Sequence, residues 1–337
     1  MSASAFGQFA LALIHTFAFP KLRGFHLSLY PFERILDEDE EGSLILAKGE
    51  PLRALDLFIK AATYSSLNRH VAPVLNELTL RTIPPLHIPQ TSDPRFKQLV
   101  RSVQDLCVDF DTWYSEYDTG VATDAPNGCS PHKFTRNIAE WIGHGQDVVK
   151  SLSLAFDNFV GYYPKLDLRC VHYPRLKVLK LSCITLSHNS QIEWVMQHKN
   201  TLTTLHLTDC PIIIRAGTHM RVDKDSYPCP GEPAPGLTIL TNSLRWYQIL
   251  EYFRKHLNRL EDFVVRFTTM CGARYGDEYG MSPSRYMVYF RGELDLTNLS
   301  HRVHEEYLEK DRKEYMLCPQ VHGSMDEEEG DILAMYC

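Results

Sequence analysis

A recurrence of leucines constrains this chain more than any other feature. In "YPRLKVLKLSCITLS", Leu176, Leu179, Leu181 and Leu186 occupy the apolar places of the pattern L-x-x-L-x-L-x-x-N/C-x-L. In that pattern alternate residues of a short strand point inward before the chain turns away. Leu202, Leu205, Leu207, Cys210 and Ile212 fill all five named places. Such a segment cannot bury its apolar side alone, so it must stack on others of its kind.

When any large apolar residue is accepted, further copies begin at Leu22, Leu75, Val103, Val149 and Leu260. Their cores are Leu22, Phe25, Leu27 and Phe32; Leu75, Leu78 and Leu80, with Leu86 one residue late; Val103, Leu106, Val108 and Trp113; Val149, Leu152, Leu154 and Phe159; and Leu260, Phe263, Val265 and Met270. Stacked units must advance by similar lengths of chain. The steps Leu154 to Leu181, Leu181 to Leu207 and Leu80 to Val108 are 27, 26 and 28 residues. The 53 residues from Leu27 to Leu80 span two such periods, with a degenerate unit around Pro51 to Asn68.

The two long steps, Val108 to Leu154 and Leu207 to Val265, hold stretches rich in Pro, Gly, Asp and Ser: "DTGVATDAPNGCSPH" and "RAGTHMRVDKDSYPCPGEPAPG". Such composition predicts surface loops inserted near 112–133 and 215–240. Helical periodicity precedes several strands, in "PLRALDLFIKAATYSSLN", "KFTRNIAEWIGHGQDVV", "SQIEWVMQHKN" and "SLRWYQILEYFRKHLN". The expected fold is therefore α/β: a leucine-rich-repeat solenoid with a parallel sheet on its concave face and helices on its convex face. It would occupy residues 1–270. Residues 271–337 would form a C-terminal cap with a strand in "RYMVYFRGELDL", a charged helix in "HRVHEEYLEKDRKEYML" and an acidic tail.

The 337 residues are 44% hydrophobic and carry a formal charge of -7. That balance supplies no general attraction to phosphate backbones or anionic lipid, so neither nucleic acid nor a membrane is an expected partner. Ser2 to Pro20 lacks charged residues but also lacks a basic leader, and reads as a buried helix feeding the first strand. Nine cysteines without a C-x-x-C pair predict free thiols in a reducing compartment, hence an intracellular, cytoplasmic or nuclear protein. Cys107, Cys183 and Cys210 fall in or just after strands and read as packing residues.

The repeats "YPRLKVLKLSCITLS" and "IEWVMQHKNTLTTLHLTDCPI", with the opening "FPKLRGFHLSL" and the closing "HLNRLEDFVVRF", resemble the irregular leucine-rich regions of fungal F-box proteins. The likeness spans about Phe19 to Phe267. It implies a substrate receptor, in which an F-box grips the adaptor subunit of a cullin-type ubiquitin ligase while the repeats hold the protein to be modified. An F-box opening of the Leu-Pro-x-Glu type is not evident before the first repeat.

Within each strand, residues between the buried ones face the concave surface. This places Thr79, Arg81, Asp105, Cys107, Asp109, Lys180, His206, Thr208, Asp262 and Arg266 on it. Their mixed charge suits a protein or peptide partner. No catalytic residue, metal or cofactor is assigned. His301 and His304 share a helical face with Glu305 but have no further ligand at suitable spacing, and "GHGQDV" from Gly143 lies in a helix instead of after a strand. Two other classes follow from the same residues: an enzyme with its site on the inserted loops, near Cys129 to His132 or Arg215 to Gly236, and a secreted or membrane-associated repeat protein whose apolar N-terminus is processed or inserted.

Overall fold

The computed structural model describes residues 8, 22–28, 55–61, 75–83, 89–110, 133–266 and 286–290. The strands among them are β1 (Gly24–Ser28), β2 (Glu77–Ile83), β3 (Asp105–Phe110), β4 (Ser151–Val160), β5 (Val178–Ile184), β6 (Thr204–Thr208), β7 (Ile212–Val222), β8 (Pro228–Thr241), β9 (Asp262–Arg266) and β10 (Tyr286–Phe290). Seven of them form a parallel sheet in the order β1-β2-β3-β4-β5-β6-β9. The fold is mixed α/β with a mostly parallel sheet.

Each of these seven strands contains one of the leucine-pattern segments. Their registers align the apolar positions into two rows that cross the whole sheet. One runs Phe25, Leu78, Leu106, Leu152, Leu179, Leu205, Phe263, and the other Leu27, Leu80, Val108, Leu154, Leu181, Leu207, Val265. From β2 to β6 every member of both rows is buried, and all belong to one hydrophobic cluster. The rows become partly exposed at the ends, at Phe25 and Val265. Side chains of period two on a parallel ladder exclude a slip of one residue, which would turn every leucine to the opposite face.

The turn into each strand repeats as well. The carbonyl of Arg23 accepts from both Asn76 N and Glu77 N at 2.7 and 2.9 Å, and Asn76, Gln104, Lys150, Lys177 and Thr203 each accept in the same paired way from the next strand. This two-donor contact recurs at every step of the sheet and satisfies backbone groups that a strand end would otherwise leave open. At the far end, Thr82, Cys183 and Asp209 adopt φ of 60°, 58° and 50°. Each stands two residues after a member of the second row, so the same left-handed kink ends three of the strands.

The described helices are α1 (Pro89–Ser92), α2 (Pro94–Val100), α3 (Phe134–Ile142), α4 (Asn189–Met196) and α5 (Trp246–His256). A further helical run covers residues 55–61. Pro94 is set for a first helical turn, and Asp93 caps α2 by accepting from Arg95 N at 2.8 Å. Gln191 and Gln248 reach back to the backbone N–H of His188 and Arg245 at 3.0 and 2.9 Å, starting α4 and α5. Phe58, Phe96, Ile138, Trp141, Trp194, Trp246 and Phe253 join the cluster formed by the leucine rows. The helices thus cover the apolar side of the sheet.

Residues 215–240, expected as a surface loop, are instead most of a hairpin. β7 and β8 pair antiparallel, β10 adds in parallel to β7, and the three make a second sheet in the order β10-β7-β8. β-branched residues carry it: Ile212, Ile213, Ile214, Thr218 and Val222 in β7, and Thr238, Ile239 and Thr241 in β8. The prolines that suggested a loop sit in β8, an edge strand among the described residues, where a missing N–H is tolerated. The register shifts beside them, around Met220 and Pro233. The hairpin begins on the main core, since Ile212 bridges in parallel to Leu186 and both residues are buried in the cluster.

A smaller cluster of Tyr162, Ile213, Ala216 and Tyr227 lies beneath the hairpin. Gly161 makes it possible: at φ +130° a Cβ there would stand 2.4 Å from the Thr185 carbonyl oxygen. Phe32, Leu86, Trp113, Met270, the N-terminal helix, the insertion up to residue 132, the charged helix and the acidic tail lie outside the described residues.

Candidate functional site

The face of the parallel sheet opposite the leucine rows is polar, and the same registers that align the leucines align it. One row reads Gly24, Glu77, Asp105, Ser151, Val178, Thr204, Asp262. The next reads His26, Thr79, Cys107, Ser153, Lys180, His206, Val264. In a third, Asp109, Ala155, Ser182, Thr208 and Arg266 follow one another from β3 to β9, while Ser28 faces Arg81 across β1 and β2. At about 4.8 Å per strand the face is roughly 29 Å wide.

All nine charged or hydroxyl-bearing positions expected on this face lie on it. Arg81, Asp105, Lys180, Asp262 and Arg266 are exposed, and Thr79, Asp109, His206 and Thr208 are half-buried between their neighbours. His206 Nε2 lies 2.7 Å from Asp262 Oδ2, a contact between β6 and β9 that strand alternation alone does not announce. The residues that escaped notice are Glu77 and His26 on the first two strands and the small, uncharged ones between, Ser151, Ser153, Ala155, Val178, Ser182 and Thr204. Alternation would have found them too, since they share the phase of Thr79.

Burial of the apolar side holds this surface in place. None of its hydroxyls or thiols is hydrogen-bonded to His206 among the described residues, so the arrangement lacks a nucleophile held against its base. What it offers is a stiff array of donors, acceptors and charges at fixed spacing.

Elsewhere, α3, residues 165–170 and the hairpin enclose an open cleft of about 1080 Å³. Its charges are matched within the cleft. Lys165 Nζ lies 2.8 Å from Asp223 and 4.3 Å above the Tyr227 ring, Arg169 is bidentate to Asp167, and Arg136 meets Glu140 at 3.1 Å. Burial opposes ionisation of Asp167 and Asp223, but hydrogen bonds from Arg169 and Lys165 outweigh it and hold both carboxyls below the ordinary range. Behind the cleft, His188 stacks on Tyr227 at 3.8 Å and contacts Ser187 Oγ through Nδ1 at 2.7 Å. Burial lowers the His188 pKa and pushes the Tyr227 and Tyr162 hydroxyls up to about 12.

Among the cysteines, Cys107, Cys170, Cys210 and Cys229 are free, but Cys183 is disulfide-bonded, which corrects the expectation of free thiols throughout. Cys210 is fully buried and its thiol is pushed up to about 12, in keeping with a packing residue. Gly143–Gly145 continue α3 as a turn of 3-10 helix. No group of three or more His, Cys, Asp or Glu is placed to hold a metal among the described residues, and no helix among them is long and apolar enough to cross a membrane. His301, His304, Glu305 and the stretch Cys129 to His132 lie outside them. Comparison with family models, curated proteins and solved structures finds no match to this chain.

Proposed function

We propose that the chain is a leucine-rich-repeat solenoid acting as a non-catalytic protein-recognition scaffold, with the polar face of its parallel sheet as the binding surface. One observation carries the reading. A parallel sheet in an α/β protein is ordinarily covered on both faces and apolar on both; here the leucine rows and the helices share one side, and the other presents polar residues without a described helix over it. The repeated two-donor turn and the recurring left-handed kink support a stack of like units. In line with the resemblance of its repeats, the scaffold is an F-box-like substrate receptor of a cullin-type ubiquitin ligase.

Panning a random peptide library on the full chain tests the surface. Selected peptides should lose binding when Ser153→Trp or Ser182→Trp fills the middle of the face, and keep it when Gln98→Trp alters exposed α2. Peptides indifferent to both face substitutions would overturn the surface assignment. The ligase role is tested by mixing the full chain with a purified adaptor subunit: a stable complex supports it, and its absence at micromolar concentrations removes it.

A further inference from the structure

The strands of the sheet enter from a rim whose middle is strongly basic. Lys150 and Lys177 immediately precede β4 and β5 and are joined by Lys177 N donating to Lys150 O at 2.7 Å. Their side chains therefore leave neighbouring strands about 4.8 Å apart. Arg175 and Lys199 stand in the turns entering β5 and β6, and Lys180 continues the positive charge onto the polar face, between Ser153 and His206. All five are exposed. None forms an ion pair with a described residue, whereas Arg95, Arg136, Lys165, Arg169, Arg254 and Lys255 each have a carboxylate within 4 Å.

The basic band is bounded. To one side, at β2 and β3, Glu77, Asp105 and Asp109 outnumber Arg81 and Arg101, and to the other, at β9, Glu261 and Asp262 offset Arg259 and Arg266, so the positive excess ends there. Between them the face presents Ser151, Ser153, Val178, Ser182 and Thr204, none large enough to keep an extended chain off the sheet. The positive field is therefore roughly 10 Å wide, three strands at their ordinary spacing.

We propose that this band holds an acidic segment of the protein partner, lying across β4 to β6 with its carboxylates against Lys150, Arg175, Lys177 and Lys180. The inference rests on the recognition reading above and names the chemistry of what is recognised. A protein segment fits better than a nucleic acid for two reasons. A polyanion that continued past the band would meet no further excess of positive charge, in a chain whose formal charge is already -7. Across β4 to β6 the aligned rows also carry no Phe, Tyr or Trp on which a base could stack, and their one imidazole, His206, is held against Asp262.

Fluorescence anisotropy with the full chain tests this, using a labelled 12-residue peptide of alternating Glu and Ser, its Gln counterpart, and single-stranded DNA of equal charge. The acidic peptide should bind at least tenfold tighter than the Gln peptide and lose affinity with salt. Lys150→Glu combined with Lys177→Glu should cost tenfold or more, while Lys133→Glu combined with Lys224→Glu, away from the rim, should change it less than twofold. Circular dichroism of each variant separates lost binding from lost folding, and Lys150→Gln with Lys177→Gln should fall between. Equal binding of the Gln peptide, or DNA bound as tightly and lost to the same reversal, overturns the proposal. Face-directed peptides from the library that carry no acidic residues would sink the acidic preference and leave the recognition reading standing; the absence of face-directed peptides of any charge would sink both.

Discussion

Leu179 sits inside the first leucine row with no exposed surface, flanked by Leu152 and Leu205 on the adjoining strands. Leu179→Ala should destabilise the protein by about 2–5 kcal/mol in urea titration, a range set by lost transfer energy and the cavity left behind. Gly161 is constrained by geometry instead of apolarity. Gly161→Ala should cost on the order of 1–3 kcal/mol, because φ of +130° and the Thr185 carbonyl both oppose a Cβ. His198 makes stability depend on pH. Its Nε2 accepts from Tyr173 N at 3.2 Å, and burial, with His172 stacked beside it, pushes its pKa down to about 4. The folded state thus favours the neutral ring: the stabilisation is fully present above the ordinary value of 6.5 and is lost as pH falls from there toward 4, by on the order of 3 kcal/mol. Burial lowers His144 and His188 in the same direction. Urea midpoints measured from pH 7 to pH 4 should fall more steeply for the wild type than for His198→Gln, and equal slopes would assign the acid sensitivity to other groups.

At the level of elements, the seven strands of the parallel sheet were legible and the hairpin was not. A repeat strand announces itself through spacing: the same intervals return at Leu75, Val103, Val149, Leu176 and Leu202, so each copy strengthens the reading of the others. The hairpin has no copy. Its β8 carries Pro228, Pro230, Pro233 and Pro235, whose local preference is for a turn, and only pairing with β7 recruits them into a strand. Its turn is held by Asp223, whose Oδ1 accepts from Asp225 N and Tyr227 N at 2.8 and 3.0 Å while Oδ2 meets Lys165. Asp223→Ala should raise amide exchange across Ile212 to Thr241 by an amount equivalent to about 1–2 kcal/mol, with protection in β2 to β6 unchanged. A change spreading through the parallel sheet would show that the two sheets are not separable units.

Across the whole molecule, one apolar cluster runs through the described strands of the parallel sheet and takes in Trp141 of α3, Trp194 of α4 and Trp246 of α5. Shared burial of this kind couples distant units. Leu152→Ala in β4 should therefore lower the unfolding midpoint read by tryptophan fluorescence and by far-ultraviolet circular dichroism equally, in one transition. Two separated transitions would mean that neighbouring strands melt independently, as weakly coupled repeats do.

The spacing of the leucines by itself marked the seven strands of the parallel sheet and which of their side chains are buried, because a two-residue alternation is a property of spacing alone. The 26- to 28-residue period also called for a unit near Pro51 to Asn68, where β1 instead pairs directly with β2. Tertiary structure decided what spacing does not encode. It set the register that places Lys150 beside Lys177 and His206 within reach of Asp262, it folded a proline-rich stretch into a hairpin, and it enclosed the charges of the cleft with their partners. Each of those depends on residues far apart in the chain being brought within a few ångströms, and that is fixed only when the whole sheet closes on its common core.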